Sequence, residues 1–128
     1  MSKIIEEFKY TEDHEWISIE GDIATIGITD FAQSSLGDIV FVELPEEGEK
    51  LEATNSFGVV ESIKSVSDLY TPITGTVTEK NSSVEESPES LNEDAYSSWL
   101  IKIKIENISE LEDLMDSSAY REYCEANS

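Results

Sequence analysis

A lysine isolated between two apolar, β-branched runs constrains the fold more than any other feature of the sequence. Such runs favour β-strands, so the polar segment 62–67 between them is predicted to be a hairpin turn that contains Lys64. A lysine in a turn projects its ammonium group into water, where a modifying enzyme can reach it. The nearest other cations along the chain are Lys50 and Lys80. A solvated loop lysine is the common alternative, and the residues around Lys64 decide between the two.

Alternation of apolar and polar residues predicts further strands. Residues 15–20 and 23–29 alternate on either side of a glycine-containing turn and are predicted to form a hairpin. Residues 38–44 are apolar on both faces, which implies a buried strand. Residues 98–105 are another candidate strand, with Trp99 on its apolar face, and we expect Trp99 in the core.

Helix signals are weaker and lie between and after the strands. Asp30 is a candidate N-cap for a short helix, and Gly37 can adopt the left-handed conformation that ends it. Residues 82–96 are acidic and polar and are predicted to be a surface loop. The chain between residues 30 and 96 is therefore expected to contain one short helix.

The C-terminal part of the chain is predicted to be helical, over about residues 109–126. Residues 109–112 (SELE) match a capping box, which predicts a helix that extends to residue 115. Ser117 or Ser118 is expected to cap a last helix, with two tyrosines and a cysteine on one side.

The order of these elements, strands first and helices last, predicts the fold class. We expect a mainly β protein, an antiparallel β-sandwich or flattened barrel, with helices added at the C-terminus. A chain of 128 residues without a linker or a low-complexity tract suits one domain, residues 1–128.

The composition limits the classes of partner and the cellular location that we expect. The net charge of −21 makes nucleic acid and anionic membrane surfaces poor partners and favours proteins with basic docking faces. No apolar run approaches membrane-span length, and the acidic N-terminal segment lacks the features of a signal or transit peptide. We expect a cytoplasmic monomer, with a mature organellar form as the alternative location. One cysteine and one histidine exclude an intramolecular disulfide and leave too few ligands for zinc.

The residues around the lysine resemble those of a known carrier family. Residues 61–65 (ESIKS) are similar to the lipoylation site of the glycine cleavage system H proteins, and residues 68–75 (DLYTPITG) are similar to the segment that follows the modified lysine in lipoyl-carrying proteins. Further similar segments run in the family's order over nearly the whole chain: residues 14–16 (HEW), 24–33 (ATIGITDFAQ), 36–45 (LGDIVFVELP), 92–96 (NEDAY), 99–104 (WLIKIK) and the helix around Ala119 and Tyr120. The resemblance is to the family as a whole, because no single segment is decisive.

The resemblance implies a fold and a role. The fold is the lipoyl-domain (barrel-sandwich hybrid) type, with a lipoyl hairpin at about residues 59–75. Lipoate, joined to Lys64 as an amide, would make the chain a shuttle rather than an enzyme. It would carry the aminomethyl group of glycine from glycine decarboxylase (P protein) to aminomethyltransferase (T protein), in glycine catabolism and one-carbon metabolism. Dihydrolipoyl dehydrogenase (L protein) would reoxidise the arm, and a lipoate ligase or lipoyl transferase would attach it.

Two acidic residues match positions that receive the loaded arm in the family. Glu15 and Asp68 are therefore expected to contact the amine of the arm in a cleft, where a carboxylate makes charge-assisted hydrogen bonds. The alternative for both is ordinary surface acids. His14 is expected to be a structural hydrogen-bonding residue, and Cys124 to be a packing residue rather than a redox thiol.

Other functions remain open from the sequence. A biotin carrier would usually have methionines beside the lysine, where this chain has Ile63 and Ser65. A 2-oxoacid dehydrogenase lipoyl domain would usually be followed by linkers and catalytic domains. A relay protein that donates its lipoate to other acceptors needs the same lysine as the shuttle. A non-carrier interaction module would leave Lys64 unmodified.

Overall fold

The computed structural model describes residues 3–126, and its strands form two antiparallel sheets. Met1 and Ser2, at the start of the N-terminal segment discussed above, lie outside the described residues. The strands are β1 (Lys9–Tyr10), β2 (Glu15–Glu20), β3 (Ile23–Ile28), β4 (Ile39–Glu43), β5 (Lys50–Leu51), β6 (Ser56–Ser62), β7 (Val66–Tyr70), β8 (Gly75–Lys80) and β9 (Ile101–Ile105). The six-stranded sheet has the order β1-β2-β3-β9-β8-β5, and the three-stranded sheet has the order β4-β6-β7.

The main hydrophobic core contains residues from both sheets. In the larger sheet Ile17 lies opposite Ile26, which lies opposite Ile101, and all three side chains are fully buried. In the smaller sheet Val42 lies opposite Val60, and both are buried in the same cluster. The predicted β-sandwich is confirmed. The sheets remain separate in the described residues, so the flattened barrel is not closed.

The helix after β3 is confirmed, but its N-cap is not Asp30. Helix α1 (Asp30–Leu36) is capped by Thr29, whose hydroxyl accepts a hydrogen bond from the Ala32 N–H. The Asp30 side chain instead accepts hydrogen bonds from the Gln33 amide and the Lys3 N–H. The β-branched side chain of Thr29 favours extended structure, so the sequence pattern places it in the preceding strand. Gly37 ends the helix with φ of +82°, as predicted.

The strand over residues 38–44 is not buried on both faces. Val40 is 56% exposed and Phe41 is 45% exposed, whereas Ile39 and Val42 are buried. A register shift between Ile39 and Phe41 interrupts the alternation of the strand, and β4 forms one edge of the smaller sheet. The continuous apolar run therefore reflects an uncovered outer face rather than a covered one.

The acidic segment 82–96 contains two short helices instead of the predicted loop. Helices α2 (Ser82–Glu86) and α3 (Ser90–Glu93) place Val84 and Leu91 in the core. Only a few apolar residues in this segment are buried, so the acidic composition of the exposed faces concealed the helical pattern.

The C-terminal elements differ from the prediction in their caps. Residues Ile108–Asp113 form a 3-10 helix whose N-cap is Asn107, rather than an α-helix opened by a capping box. Helix α4 (Ser117–Ala126) begins after Asp116, whose carboxylate accepts a hydrogen bond from the Ala119 N–H, so neither predicted serine is its cap.

A second cluster, which is aromatic, joins the N-terminal strands to α4. The cluster contains the buried residues Tyr10, Trp16, Tyr120 and Cys124, and Tyr10 stacks on Tyr120 with ring centroids 4.4 Å apart. Trp99 lies before β9 and is only partly buried at the margin of this cluster, with the Lys102 ammonium 4.9 Å from its ring centroid. The prediction that Trp99 is a core residue is therefore wrong, since β9 begins two residues later, at Ile101.

Candidate functional site

The hairpin between β6 and β7 places Lys64 at its tip, where the residue is exposed. Its turn is organised by Ser62, which is almost completely buried. The Ser62 N–H donates to the Ser65 carbonyl at 2.8 Å, and the Ser62 hydroxyl accepts from the N–H groups of Lys64 and Ser65 at 3.3 and 3.2 Å. The turn is shorter than the predicted segment 62–67 because β7 already begins at Val66. A short, hydrogen-bonded turn holds the lysine backbone in place.

The end of α1 supports the hairpin tip from the side. The Ile63 N–H donates to the Asp38 carbonyl at 3.0 Å, which ties the turn to the chain that leaves α1. The aliphatic part of Lys64 passes over Gly37, since a Cβ at this glycine would lie 3.5 Å from Lys64 Cε. Asn92 in α3 accepts from the Ile39 N–H and donates to the Gly37 carbonyl, so α3 holds this junction. The sequence did not single out Asn92 or Gly37 for this role.

A cavity of about 180 Å³ lies between α1 and the smaller sheet. Its walls combine apolar side chains with four ionisable ones and two serines. The apolar residues are Ile28, Ala32, Leu36, Val60 and Leu69, the ionisable ones are Asp13, His14, Glu15 and Asp68, and the serines are Ser35 and Ser67. Glu15 and Asp68, the two acids singled out from the sequence, therefore line one cavity. Leu36 lines the cavity and directly precedes Gly37, over which the Lys64 side chain passes.

Glu15 is a buried acid, with only 2% of its surface exposed. Its carboxyl group accepts hydrogen bonds from the Tyr70 N–H at 2.9 Å and from the Thr11 hydroxyl at 3.2 Å. Burial raises the pKa of Glu15 to about 8, and the nearby negative charge of Asp13 acts in the same direction. At neutral pH most molecules therefore keep a proton on this carboxyl group.

Asp68 is exposed at the rim of the same cavity, on the edge strand β7. Tyr70 connects the two acids, because its N–H donates to Glu15 and its hydroxyl donates to Asp68 Oδ2 at 3.5 Å. The buried carboxyl group of Glu15, with its raised pKa, thus lies near the exposed carboxyl group of Asp68. The sequence indicated the two acids, but no sequence pattern indicated that Tyr70 connects them.

His14 has a structural role in the cluster that joins β2 to α4. Its Nδ1 lies 2.8 Å from the Tyr120 hydroxyl, which is 2.7 Å from Thr29 Oγ1. Its ring stacks on Phe31, with centroids 4.4 Å apart. Burial lowers the pKa of His14, which favours the neutral ring. The expectation of a structural histidine is confirmed.

Glu15 also lines a wider cleft of about 600 Å³, which is bordered by Tyr70, Pro72 and the 3-10 helix. Cys124 is 8% exposed and packs in the aromatic cluster, as expected for a packing residue.

Residues 3–126 hold no group of three or more His, Cys, Asp or Glu side chains that could bind a metal ion. Over the same residues no helix is long and apolar enough to cross a membrane.

Fold and site together define a lipoyl-domain-like β-sandwich with one lysine presented at a hairpin tip. The profile of the family described as glycine cleavage H-protein matches residues 8–127. The chain is 52% identical over 118 residues to the glycine cleavage system H protein of Staphylococcus carnosus, covering 91% of this chain and 94% of that protein. It is 52% identical over 126 residues to the H protein of Carboxydothermus hydrogenoformans, covering 98% and 97%.

A solved structure agrees with the sequence matches. The crystal structure of a glycine cleavage system H protein from Mycobacterium marinum superposes with a TM-score of 0.82, at 38% identity, and covers 97% of this chain and 98% of that one. The chain belongs to the glycine cleavage H-protein family.

Proposed function

We propose that this chain is the lipoyl-carrying shuttle of a glycine cleavage system and that Lys64 is the lysine to which lipoate is joined. Family membership supports the carrier role. The observation that carries the assignment to Lys64 is its position, exposed at the tip of a hydrogen-bonded hairpin and over Gly37, which follows the cavity-lining Leu36. Membership also favours this role over that of a biotin carrier or a 2-oxoacid dehydrogenase domain.

The residues around Lys64 fit a lipoyl group. An acyl chain is apolar, and the cavity next to the lysine has apolar walls formed by α1, β3 and the smaller sheet. Lys64 Nζ would hold the group as an amide, which removes the positive charge of the side chain. When attached, lipoate supplies a cyclic disulfide that is reduced as it accepts the aminomethyl carbon and is later reoxidised.

The chain's own contribution would be to hold the amine of the cargo and to exclude water. Asp68 at the rim would attract an ammonium group, and the buried Glu15 would meet it inside the cavity. A cation beside Glu15 lowers the pKa of its carboxyl group, so the proton held there at neutral pH would leave as the ammonium group enters. The resulting ion pair is shielded from solvent and is therefore strong.

The partners follow from the role. Glycine decarboxylase would load the carrier, aminomethyltransferase would unload it, and dihydrolipoyl dehydrogenase would reoxidise it, while a lipoate ligase or lipoyl transferase would modify Lys64. The net charge of −21 supports partners with basic docking faces. In this proposal the whole chain acts as one cytoplasmic carrier domain, without catalysis of its own.

Replacement of the lysine tests the assignment. Lys64→Arg should accept no lipoate from a lipoate–protein ligase, because a guanidinium group stays protonated and is a poor acyl acceptor. Lys50→Arg is the matched control, since Lys50 is also exposed and forms only a surface pair with Glu106. The measurement is the lipoyl mass on mapped peptides of both variants. Lipoate on any lysine of the Lys64→Arg variant, at the wild-type rate, would contradict the proposal.

A further inference from the structure

Four apolar residues of the three-stranded sheet and its turn remain exposed among residues 3–126. Val40 is 56% exposed, Phe41 45%, Ile63 71% and Val66 64%. The uncovered face of an antiparallel sheet is normally polar, because alternation directs the apolar residues to the core. We call these four residues the tip patch. Four large apolar side chains in solvent around one lysine need a partner to explain them.

The strand register places the tip patch in one area. Phe41 lies opposite Glu61, and Glu61 lies opposite Val66, so the three side chains form a row on the outer face. Val40 lies in the irregularity of β4 between Ile39 and Phe41. Ile63 is in the turn, bound through its N–H to the Asp38 carbonyl. The patch therefore extends from the edge strand β4 across β6 to the turn that contains Lys64.

Acidic residues accompany the patch on the same face. The next row on this face, farther from the turn, places Glu43 opposite Val59, and Glu61 lies within the apolar row itself. No cation other than Lys64 lies in the three strands or the turn. A surface with an apolar centre and acidic borders is complementary to a protein surface with an apolar depression and Lys or Arg at its rim.

We propose that the tip patch is the docking surface for the enzyme that acylates Lys64. The inference rests on the proposed function, because it requires Lys64 to be the modified lysine. In the acylation, Lys64 Nζ loses a proton and attacks the carbonyl carbon of an activated lipoyl group, such as an adenylate. The C–N bond forms, and the bond to the activating phosphate breaks, with its electron pair leaving on the nucleotide.

The short distance of Lys64 Nζ from the backbone indicates which enzyme docks on the tip patch. Nζ is four methylene groups from the Cα of Lys64, so an enzyme that forms a bond there must touch the residues on either side of the lysine. An enzyme that acts on the far end of a lipoyl arm reacts at a distance from the turn and can dock elsewhere. Ile63 and Val66, the exposed apolar residues nearest Lys64, therefore contact the acylating enzyme.

Threonine replacements in the patch test the proposal. Phe41→Thr, Ile63→Thr and Val66→Thr keep side chains suited to an exposed strand or turn and remove apolar contact area. Ile108→Thr is the matched control, since Ile108 is 66% exposed and lies in the 3-10 helix, outside the patch. Thermal unfolding of each variant should remain close to wild type, because each replaced residue is at least 45% exposed.

The first readout is lipoate attachment to the unmodified variants by a lipoate–protein ligase with ATP. We expect kcat/KM to fall about tenfold or more for Ile63→Thr and Val66→Thr, through KM, as for the central apolar contacts of an interface. Ile108→Thr should stay within roughly twofold of wild type. The wild-type kcat/KM should also fall with ionic strength, and Glu61→Gln should weaken that dependence. Patch variants that behave like Ile108→Thr would overturn the proposal.

The second readout separates the acylating enzyme from the others. Patch variants lipoylated to completion, reduced, and reoxidised by dihydrolipoyl dehydrogenase should react within roughly twofold of wild type. Equal losses in both assays would overturn the assignment to the acylating enzyme. A wild-type chain that accepts no lipoate on Lys64 would instead remove the proposed function, so the two failures are distinguishable.

Discussion

The aromatic cluster and the hairpin tip use the same kinds of residue for opposite purposes. In the aromatic cluster, Tyr10, Trp16 and Tyr120 are at most 2% exposed, and Trp16 Nε1–H donates to the Ala95 carbonyl. In the tip patch around the hairpin, Phe41 is 45% exposed and Ile63 is 71% exposed. Apolar side chains thus hold the N-terminal strands to α4 in one region and remain free for a partner in the other.

Residue type alone does not distinguish residues that stabilise the fold from residues that bind a partner, whereas burial does. Polar groups divide in the same way. The hydroxyl of Tyr120 is enclosed between His14 and Thr29 and locks two elements together. The hydroxyl of Ser62 binds only its own turn and orients one lysine. We expect substitutions in the cluster to change stability and substitutions at the tip to change recognition.

The largest effect should come from Trp16, at the centre of the aromatic cluster. Trp16→Ala should lower the free energy of unfolding by about 3–5 kcal/mol, because it leaves a large cavity and removes the stacking with Phe8. Trp99→Ala is the comparison, and we expect it to cost roughly 1–2 kcal/mol, since Trp99 is only partly buried. Denaturant unfolding measures both. Equal costs would show that the two tryptophans are buried alike.

A second effect concerns Glu15, which belongs to the cavity but is buried like a cluster residue. Its pKa is raised from 4.5 to about 8, so the bound proton stabilises the folded state. That stabilisation is complete below pH 4.5 and is lost as the pH rises through about 8. Relative to Glu15→Gln, wild type should therefore lose about 3 kcal/mol between about pH 5 and pH 8. Unfolding of both proteins at the two pH values measures the difference, and a constant difference would contradict the raised pKa.

The hydroxyl of Tyr120 should contribute less than the ring of Trp16. Tyr120→Phe keeps the stacking on Tyr10 and removes the bonds to His14 Nδ1 and Thr29 Oγ1. We expect a loss of about 2 kcal/mol, since buried polar groups are left without a partner. Tyr123→Phe is the control, because the Tyr123 hydroxyl bonds the exposed Glu12 carbonyl. A Tyr120→Phe protein as stable as its control would show that the hydroxyl does not link these elements.

The smallest energetic effect, and a functional one, should appear at the cavity rim. Combining Glu15→Gln with Asp68→Asn should shorten the lifetime of the loaded carrier about tenfold, because an enclosed ammonium group has lost both carboxylates. The control combines Glu47→Gln with Glu86→Gln. These two acids are exposed and are distant in sequence from Glu15 and Asp68. Mass spectrometry of the loaded species over time measures the decay. Equal lifetimes would leave Glu15 and Asp68 without a role in protection.

The sequence by itself determined the succession of the main strands along the chain, the two hairpins and the lysine at a turn. These features depend on alternation, β-branched residues and glycine positions, which act over a few neighbouring residues. The strand over Glu15–Glu20 and the end of α1 at Gly37 were predicted for this reason. Family resemblance added the expectation that Glu15 and Asp68 face the same cleft, which no local pattern contains.

Tertiary structure decided which residues are covered. Val40 and Phe41 have the pattern of a buried strand, yet they are exposed because no element packs on that face of the smaller sheet. Val84 and Leu91 lie in a segment with the composition of a loop, yet they are buried because α2 and α3 fold against the core. The pKa of Glu15 has the same origin, since desolvation depends on side chains distant in sequence that close around the carboxyl group.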